Sequence, residues 1–205
     1  MITVEVSASQ RFPLRRRELV RRLLADAGEL LVIAGLGSTA WDVTSAGDRP
    51  LNFPLWGAMG GAAMIGLGLA LARPERRVLV ITGDGELLMG LGSLATIAVQ
   101  RPPNLAVVVF DNERYGETGM QATHTAHGVD LAAVAQACGF PIIINLREER
   151  DVDAALPVIR TSPGPVLCVA KVRAESLSFA LPPKDGAYLK DRFRRALLGE
   201  DATAS

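Results

Sequence analysis

The feature that most restricts the fold of this chain is a series of short apolar runs that do not alternate with polar residues. The clearest are residues 78–82, 105–110 and 166–172, which are rich in valine, isoleucine and leucine. A strand that is apolar at every position is buried on both faces, as in a parallel sheet covered by helices on both sides. Segments of helical periodicity separate these runs. The sequence therefore predicts an α/β fold with a doubly wound parallel sheet.

The predicted elements alternate along the chain. Helices are expected at residues 13–27, 60–72, 87–100, 131–138, 152–160 and 188–198, and strands at residues 30–34, 78–82, 105–110, 142–144 and 166–172. Residues 50–54 and 111–128 are expected to form loops. Because no repeat or low-complexity linker divides the chain, residues 1–205 are predicted to form a single domain. Its core is expected at about residues 28–175, followed by a helical tail at residues 182–199.

The charge balance limits the classes of partner that this chain can bind. The 205 residues include 22 basic and 22 acidic side chains, so the formal net charge is zero. A protein that binds nucleic acid or an anionic membrane would carry a clustered basic excess, and neither partner is expected. Residues 55–72 are uncharged and long enough to span a bilayer, but their five glycines and their place between strands favour a buried helix.

The cysteines and the N-terminal segment bear on the cellular compartment. Cys138 and Cys168 lie in apolar stretches thirty residues apart, which supports neither a disulfide framework nor a cysteine-based zinc site. Residues 1–17 lack the apolar core of a secretory signal. We therefore expect a cytoplasmic protein.

Three loops that follow predicted strands hold most of the residues that could perform chemistry: residues 35–39, Gly83-Asp84-Gly85 and residues 111–119. The carboxyl ends of parallel strands meet at one edge of the sheet, where ligands bind. An acid between two glycines, just before a helix, offers a carboxylate to a cation and free backbone N–H groups to an anion. The oxygens of an Asp and an Asn on neighbouring strands suit a hard cation such as Mg²⁺ that also binds phosphate.

Each of these motifs has an ordinary structural explanation when it is taken alone. Gly-Asp-Gly is a common turn, and Asp111-Asn112 could cap a helix or form a turn. Their occurrence together, 26 residues apart and each after a hydrophobic run, favours a ligand site. Asp111 is expected to shape the strand end rather than to bind the cation.

With these motifs the chain resembles the cofactor-binding domain of thiamine diphosphate (ThDP) enzymes, in the group of 2-oxo acid decarboxylases and acetohydroxyacid synthases. The resemblance covers roughly residues 30–172. It implies ThDP and Mg²⁺ as cofactors. It also implies that the side chains of Asp84 and Asn112 and the backbone carbonyl of Arg114 bind the metal.

The same resemblance implies the residues that contact ThDP. Backbone N–H groups of Gly85 and Glu86 would bind the diphosphate, and a second phosphate loop would consist of Gly37, Ser38 and Thr39. In the segment Trp56-Gly57-Ala58-Met59-Gly60, the Gly57 carbonyl would accept from the 4′-amino group and Met59 would wedge between the two rings. Met59 taken alone could equally fill the core. Tyr115 and Gly116 complete the expected cofactor-binding set.

Further motifs make the chain similar to the sulfopyruvate and phosphonopyruvate decarboxylases of this family. These motifs are Leu94-Ala95-Thr96-Ile97, Tyr115-Gly116-x-Thr118-Gly119-x-Gln121, Val129-Asp130-Leu131 and Arg192-Phe193-Arg194-Arg195. The implied reaction cleaves a 2-oxo acid to an aldehyde and CO₂. Glu117 departs from the pattern, because those enzymes tend to carry a small residue between this glycine and threonine. An acid at this position would repel a sulfonate or phosphonate. Glu117 and His124 are the candidate catalytic residues for proton transfer, although both could be solvated loop residues, as could His127.

The glutamate that activates ThDP in this family belongs to a separate pyrimidine-binding domain, and these 205 residues contain only one sheet domain. The resemblance therefore implies a partner α subunit on another chain, in an α₂β₂ or larger complex, acting on a small-molecule 2-oxo acid.

Two alternatives remain open at this stage. A carboligase subunit of acetohydroxyacid-synthase type would use the same cofactor loops but would form a 2-hydroxy ketone. A non-catalytic nucleotide-binding module would use Gly35-x-Gly37, although the third glycine of a dinucleotide motif is missing.

Overall fold

Six parallel strands form the main sheet of this protein, whose computed structural model describes residues 12–203. The strands are β1 (Leu31–Ala34), β2 (Asn52–Pro54), β3 (Val78–Gly83), β4 (Leu105–Asp111), β7 (Ile142–Leu146) and β8 (Val166–Lys171), and a two-stranded hairpin comprises β5 (Arg114–Tyr115) and β6 (Gln121–Ala122). The helices are α1 (Arg16–Leu24), α2 (Ser38–Ser45), α3 (Ala62–Ala72), α4 (Asp84–Met89), α5 (Ser93–Gln100), α6 (Leu131–Cys138), α7 (Glu149–Thr161) and α8 (Gly186–Leu198).

The strand order β2-β1-β3-β4-β8-β7 confirms the predicted doubly wound α/β fold. Residues 1–11 and 204–205 lie outside the described residues. The excluded residues contain most of the segment 1–17, for which no secretory signal is expected, and both ends of the predicted domain 1–205. No helix within residues 12–203 is long and apolar enough to cross a membrane. The uncharged run at residues 55–72 contains α3, which is 11 residues long.

Strand β4 shows why the strands do not alternate in polarity. Val107 and Val109 face the side of the sheet that is covered by α3, α5, α6 and α8, whereas Val108 and Phe110 face α1, α2 and α7. All seven residues of β4 are buried. Both faces therefore need apolar side chains, as the sequence pattern indicates.

The structure departs from the predicted elements at three places. Residues 52–54, which were predicted as loop, form edge strand β2, which pairs with β1 and is covered by α8 through an edge-to-face contact between Phe53 and Phe193. The predicted helix at residues 87–100 is two helices, α4 and α5. The predicted loop at residues 111–128 contains the β5–β6 hairpin and a short 3₁₀ turn.

The break between α4 and α5 lies at a close contact between two backbone segments. A Cβ atom on Gly90 would lie 2.2 Å from the carbonyl oxygen of Gly60, so the two backbones are in direct contact. Only glycine allows so close an approach. The helix ends at this contact, and the chain restarts as α5 three residues later.

Two glycines of α3 provide a test of how closely the helix packs on the sheet. A Cβ on Gly66 would lie 2.2 Å from Cγ2 of Val80 in β3, whereas a Cβ on exposed Gly68 would meet nothing within 4 Å. We expect Gly66→Ala to lower the free energy of unfolding by about 1–3 kcal/mol through overpacking. Gly68→Ala should raise it by about 0.5–1 kcal/mol, because it removes backbone entropy from the unfolded chain. Urea unfolding measures both values, and a shift of the same sign in the two variants would contradict this packing.

Candidate functional site

A cavity of about 430 Å³ opens at the carboxyl edge of the sheet. Its lining residues follow the ends of β1, β3, β4 and β8, on both sides of the point where strand order reverses between β1 and β3. This is the position where open α/β sheets bind ligands, and the volume is in the range of small-molecule sites. The three predicted loops do meet at one edge of the sheet.

The structure brings most of the predicted site residues together in this cavity. The predicted residues that line it are Ser38, Thr39, Met59, Asp84, Gly85, Glu86, Asn112, Arg114, Tyr115, Gly116 and Glu117. Three predicted residues are not among the lining residues. Gly37 immediately precedes α2, Gly57 is exposed two residues before Met59, and His124 is exposed in the 3₁₀ turn of residues 124–127.

Asp84 is buried at the start of α4, with a relative exposure of 1%. Its Oδ2 atom accepts hydrogen bonds from the hydroxyls of Thr123, at 2.5 Å, and Thr125, at 3.0 Å. Burial, and then the nearby carboxylate of Asp111, raise the pKa of Asp84 to about 6, although the two hydroxyls oppose this. A bound cation would lower this pKa again, because a nearby positive charge favours the ionised carboxylate.

Asp111 is held by other groups of this chain. Its Oδ2 atom lies 2.8 Å from Nζ of Lys171, and its Oδ1 atom accepts from the backbone N–H of Glu113 and lies 2.8 Å from Thr125 Oγ1, whose single proton Asp84 and Asp111 share. Glu113 binds the same ammonium group at 2.8 Å. Burial lowers the pKa of Lys171, but the hydrogen bonds and charges of Asp111 and Glu113 outweigh it, so the pKa is raised overall. This ion pair fixes the end of β4, in the role expected for Asp111.

Asn112 and Arg114 are arranged in a tight turn beside Asp84. The Oδ1 atom of Asn112 accepts the backbone N–H of Arg114 at 2.9 Å. A carbonyl oxygen has two lone pairs, so Oδ1 can bind a cation as well. Residue 113 adopts a left-handed backbone, with φ of 61°, as the chain turns. A carboxylate, an amide oxygen and a backbone carbonyl are a donor set that fits Mg²⁺.

The start of α4 is shaped for close approach of a ligand to the backbone. The first-turn N–H groups of Gly85 and Glu86 have no partner within an α-helix. A Cβ on Gly85 would lie 2.4 Å from Cε1 of Tyr115, so the aromatic ring rests directly on the glycine backbone. Free donors and a wall formed by Tyr115 together fit an anionic group such as a diphosphate.

The start of α2 forms the opposite wall. Gly37 has a left-handed φ of 68° and turns the chain into the helix. The hydroxyl of Thr39 donates to the carbonyl of Gly35 at 2.7 Å and so closes this turn. The side chain of Thr39 is therefore used locally, and the contribution of the turn to an anion would come from first-turn N–H groups and the Ser38 hydroxyl.

Glu86 is a buried acid in the cavity wall. The sequence predicts a role for its backbone N–H group but none for its side chain. Its Oε2 atom accepts from the Thr82 hydroxyl at 2.8 Å, and its Oε1 atom is buried without a hydrogen-bond partner among the described residues. Burial raises the pKa of Glu86. A Cβ on Gly35 would lie 1.8 Å from Oε2, so a glycine at the end of β1 is required to accommodate this carboxyl.

Two methionines, Met59 and Met89, form the apolar rim of the cavity, and both are exposed large hydrophobic residues. Met59 belongs to a loop in which Ala58 has a left-handed φ of 60°. The indole N–H of Trp56 anchors this loop by donating to the carbonyl of Pro183 at 2.7 Å. Met59 is thus a cavity residue rather than core filler.

Glu117 reaches across the cavity from the β5–β6 hairpin. Its Oε1 atom accepts from the Ser38 hydroxyl at 3.3 Å. A Cβ on Gly37 would lie 2.7 Å from the same oxygen, so the carboxylate lies against the backbone that leads into α2. The hairpin and the α2 turn therefore enclose the cavity together.

Several residues at the site were not found from the sequence. Thr123 and Thr125 hold Asp84, Lys171 neutralises Asp111, and Arg16 and Met89 line the cavity. The sequence gives no local signal for the two threonines, because they lie 39 and 41 residues after the acid that they contact. Arg16 reaches the site from α1, which precedes the first strand.

Comparison with known proteins identifies the class to which this fold and site belong. Residues 36–170 match the family described as thiamine pyrophosphate enzyme, C-terminal TPP binding domain, and the chain belongs to this enzyme family. This confirms the resemblance noted from the motifs and identifies thiamine diphosphate as the cofactor of the family.

Three relatives of this chain differ in how much of their own length it covers. Sulfopyruvate decarboxylase subunit beta of Methanothermobacter thermautotrophicus is 38% identical over 186 residues, which cover 91% of this chain and 97% of that protein. Phosphonopyruvate decarboxylase of Streptomyces viridochromogenes is 39% identical over 177 residues, covering 85% of this chain but 44% of that protein. Acetolactate synthase isozyme 1 large subunit of Escherichia coli is 30% identical over 155 residues, covering 67% and 27%.

A solved structure from Mycobacterium smegmatis, described as that of a thiamin diphosphate-dependent enzyme, has the same fold. Its TM-score is 0.67 at 21% identity, and the match covers 80% of this chain and 32% of that chain.

The raised pKa of Asp84 predicts a pH dependence of stability in the metal-free chain. A carboxyl group with a pKa of about 6 in the folded protein, against 3.8 ordinarily, contributes stability that is complete below pH 3.8 and is lost as the pH rises through 6. Between pH 4 and pH 7 the loss should be about 2 kcal/mol. Asp84→Asn removes the titrating group and keeps an acceptor for the two threonines. Between pH 4 and pH 7 we expect the free energy of unfolding of this variant to fall by about 2 kcal/mol less than that of the wild type.

Asp151→Asn, at an exposed acid of α7, is the matched control and should leave the pH dependence unchanged. Urea unfolding at the two pH values, in the presence of a chelator, measures the effect. If Asp84→Asn showed the same pH dependence of stability as the wild type, the effect could not be assigned to Asp84.

Proposed function

We propose that this chain is the ThDP- and Mg²⁺-binding subunit of a split 2-oxo acid decarboxylase, which cleaves a 2-oxo acid to an aldehyde and CO₂ without oxidation. The observation that carries the proposal is the position of Asp84 and Asn112 at the ends of β3 and β4, in a cavity at the switch point of the sheet. The length of the match to a protein named as a decarboxylase subunit supports the same function.

The residues of the cavity divide into a metal side and a phosphate side. Asp84, Asn112 and the Arg114 carbonyl would hold Mg²⁺, which offsets the cost of burying the Asp84 charge. N–H groups of Gly85 and Glu86 would bind the diphosphate from one wall, and Gly37, Ser38 and Thr39 from the other. Two neighbouring helix starts and one cation suit a group that carries several negative charges.

Bound ThDP supplies an electron sink for the electrons that are left when CO₂ departs. The chain's own residues position it and keep the cavity apolar near its rim. Gly57 would accept from the aminopyrimidine and Met59 would fix the angle between the two rings, while Tyr115 and Gly116 would close the opposite side.

Glu117 is the preferred residue for moving a proton in the late steps. Its Oε1 atom lies in the cavity wall, hydrogen-bonded to Ser38, where it can hold a proton that is later given to the product. His124 is exposed outside the cavity and would need to move with its loop to take part. Its proposed assistance is therefore secondary to that of Glu117.

A partner subunit would complete the site. The acids that line the cavity within residues 12–203 are Asp84, Glu86 and Glu117, and each is hydrogen-bonded to a hydroxyl of this chain. A glutamate for the pyrimidine ring would therefore come from a second, α-type chain. Exposed Met59 and Met89 at the rim offer an apolar surface for it, in an α₂β₂ or larger complex. Two unpaired cysteines fit the cytoplasmic location that goes with this proposal.

Cofactor binding is tested first on the chain alone, without turnover. ThDP with Mg²⁺ should raise the free energy of unfolding by about 2.7 kcal/mol at a hundredfold excess over Kd, and EDTA should remove the effect. Asp84→Ala and Asn112→Ala should lose the Mg²⁺-dependent part while retaining the fold. Asn145→Ala, an exposed asparagine on β7, should behave as the wild type. Equal stabilisation of all four proteins would overturn the metal assignment.

Turnover is tested on the chain with and without its partner. The purified chain with ThDP, Mg²⁺ and 2-oxo acids should release no CO₂, and adding the α-type subunit should give CO₂ and an aldehyde in equal amounts. Turnover by the chain alone would refute the split site. A 2-hydroxy ketone as the main product would assign the chain to the carboligases.

A further inference from the structure

Arg16 is a buried cation in the cavity wall to which the proposed cofactor chemistry gives no role. It begins α1, is 4% exposed, and lines the cavity together with Val172 and Phe110. The chain reaches this position because Leu14 pairs with Val172 beyond the end of β8, which places the start of α1 over the β4 and β8 ends. A buried arginine needs partners for its donors.

Two of the three guanidinium nitrogens of Arg16 have such partners. Its Nε atom donates to Asp42 Oδ2 at 2.5 Å, and its Nη1 atom donates to the carbonyl of Glu175 at 2.9 Å. Its Nη2 atom makes no hydrogen bond to any residue in the part of the chain that the structure describes. The guanidinium plane is therefore fixed by two elements, while one end keeps its donors available to a ligand.

Arg16, Arg17 and Asp42 form a cluster that carries one more positive than negative charge. Asp42 is fully buried in α2, and its second oxygen accepts from Nε of Arg17 at 2.9 Å. Two guanidinium groups thus share one carboxylate, so at least one positive charge remains uncompensated within this cluster. Arg17 does not line the cavity, and its Nη2 atom donates to the carbonyl of Ser178 instead. Arg16 therefore brings a positive charge to a cavity wall that also carries Asp84, Glu86 and Glu117.

The other guanidinium in the cavity is less constrained. Arg114 is half-buried in the β5–β6 hairpin and donates to the carbonyl of Glu113. No carboxylate within residues 12–203 forms an ion pair with it, so its side chain is not fixed as that of Arg16 is.

We propose that Arg16 binds an oxyanion of the phosphate, phosphonate or sulfonate type in this cavity through its free Nη2 donors. The inference rests on the proposed function. If the oxyanion is the substrate's end group, Arg16 is the residue that selects 2-oxo acids with a second anionic group, the kind of substrate that the names of the two decarboxylase relatives indicate. The other source of the same chemistry is the terminal phosphoryl group of the cofactor. Fixed arginine forks are suited to such groups, and a charge-assisted hydrogen bond in a buried site discriminates strongly.

The first arm of the test needs neither cofactor nor turnover. Inorganic sulfate is titrated into the full chain and its Kd is measured from the rise in melting temperature or by calorimetry. Arg16→Gln should weaken sulfate binding about 10- to 100-fold, the effect of one lost charge-assisted hydrogen bond. Arg17→Gln is the matched control, because it removes the other half of the Asp42 pair and leaves the cavity donor in place. It should bind sulfate as the wild type does.

Other outcomes of this arm overturn the proposal. They are unchanged sulfate binding in Arg16→Gln, equal losses in the Arg16 and Arg17 variants, loss only in Arg114→Gln, or no sulfate binding by the wild type. If Arg16→Gln does not fold, Arg16→Lys replaces it, since the ammonium can keep the contact with Asp42 but lacks the second terminal nitrogen. A folded lysine variant should still lose most of the sulfate affinity, and full retention would refute the role.

The second arm distinguishes the two sources of the oxyanion in the assembled enzyme. If the oxyanion belongs to the substrate, Arg16→Lys should raise the KM for a sulfonate- or phosphonate-bearing 2-oxo acid about tenfold or more, and leave both the KM for pyruvate and the Kd for ThDP unchanged. If it belongs to the cofactor, the Kd for ThDP should rise by the same factor. A variant that changes neither constant would overturn the proposal. Failure of the proposed function itself would show as absent ThDP binding in the wild type, with the sulfate arm still readable.

Discussion

The burial of Asp84 is the constraint on which the rest of the site depends. Its carboxylate is removed from water at the end of β3, and the hydroxyls of Thr123 and Thr125 are what hold it there. Thr125 also contacts Asp111, whose charge is balanced by Lys171 at the end of β8. The loop after β4 must therefore fold back over α4, and this return path encloses the cavity. A cation bound at this position would offset part of the free energy that burying the charge of Asp84 costs.

The fold could be predicted from the sequence because the central strands β1, β3, β4 and β8 are buried on both faces. The run at residues 105–110 is apolar at every position and the run at residues 78–82 at every position but Thr82, and such a pattern leaves few alternatives to a covered parallel sheet. Strand β2 could not be predicted, because its three residues, Asn52–Pro54, include a proline and an asparagine and are held by pairing with β1 and by packing of α8. Short edge strands of this kind depend on tertiary contacts rather than on local preference.

The site was predictable only where its residues adjoin one another in the chain. Gly83-Asp84-Gly85 and Asp111-Asn112 follow strands directly, so sheet geometry brings them together and most of the expected residues do line one cavity. Thr123, Thr125 and Lys171 contribute through long-range contacts that leave no pattern in the sequence. Arg16 lies in the predicted helix at residues 13–27, and nothing in its neighbourhood reveals that Asp42 would draw it into the interior.

The contact between Gly60 and Gly90 joins the loop before α3 to the end of α4. One glycine follows Met59 and the other follows Met89, and a Cβ on either residue would overlap the backbone of its counterpart. The two rim methionines are consequently mounted on a single rigid junction. A chain that docked against Met89 would press on the same backbone that carries Met59, so a displacement of one rim methionine would also displace the other.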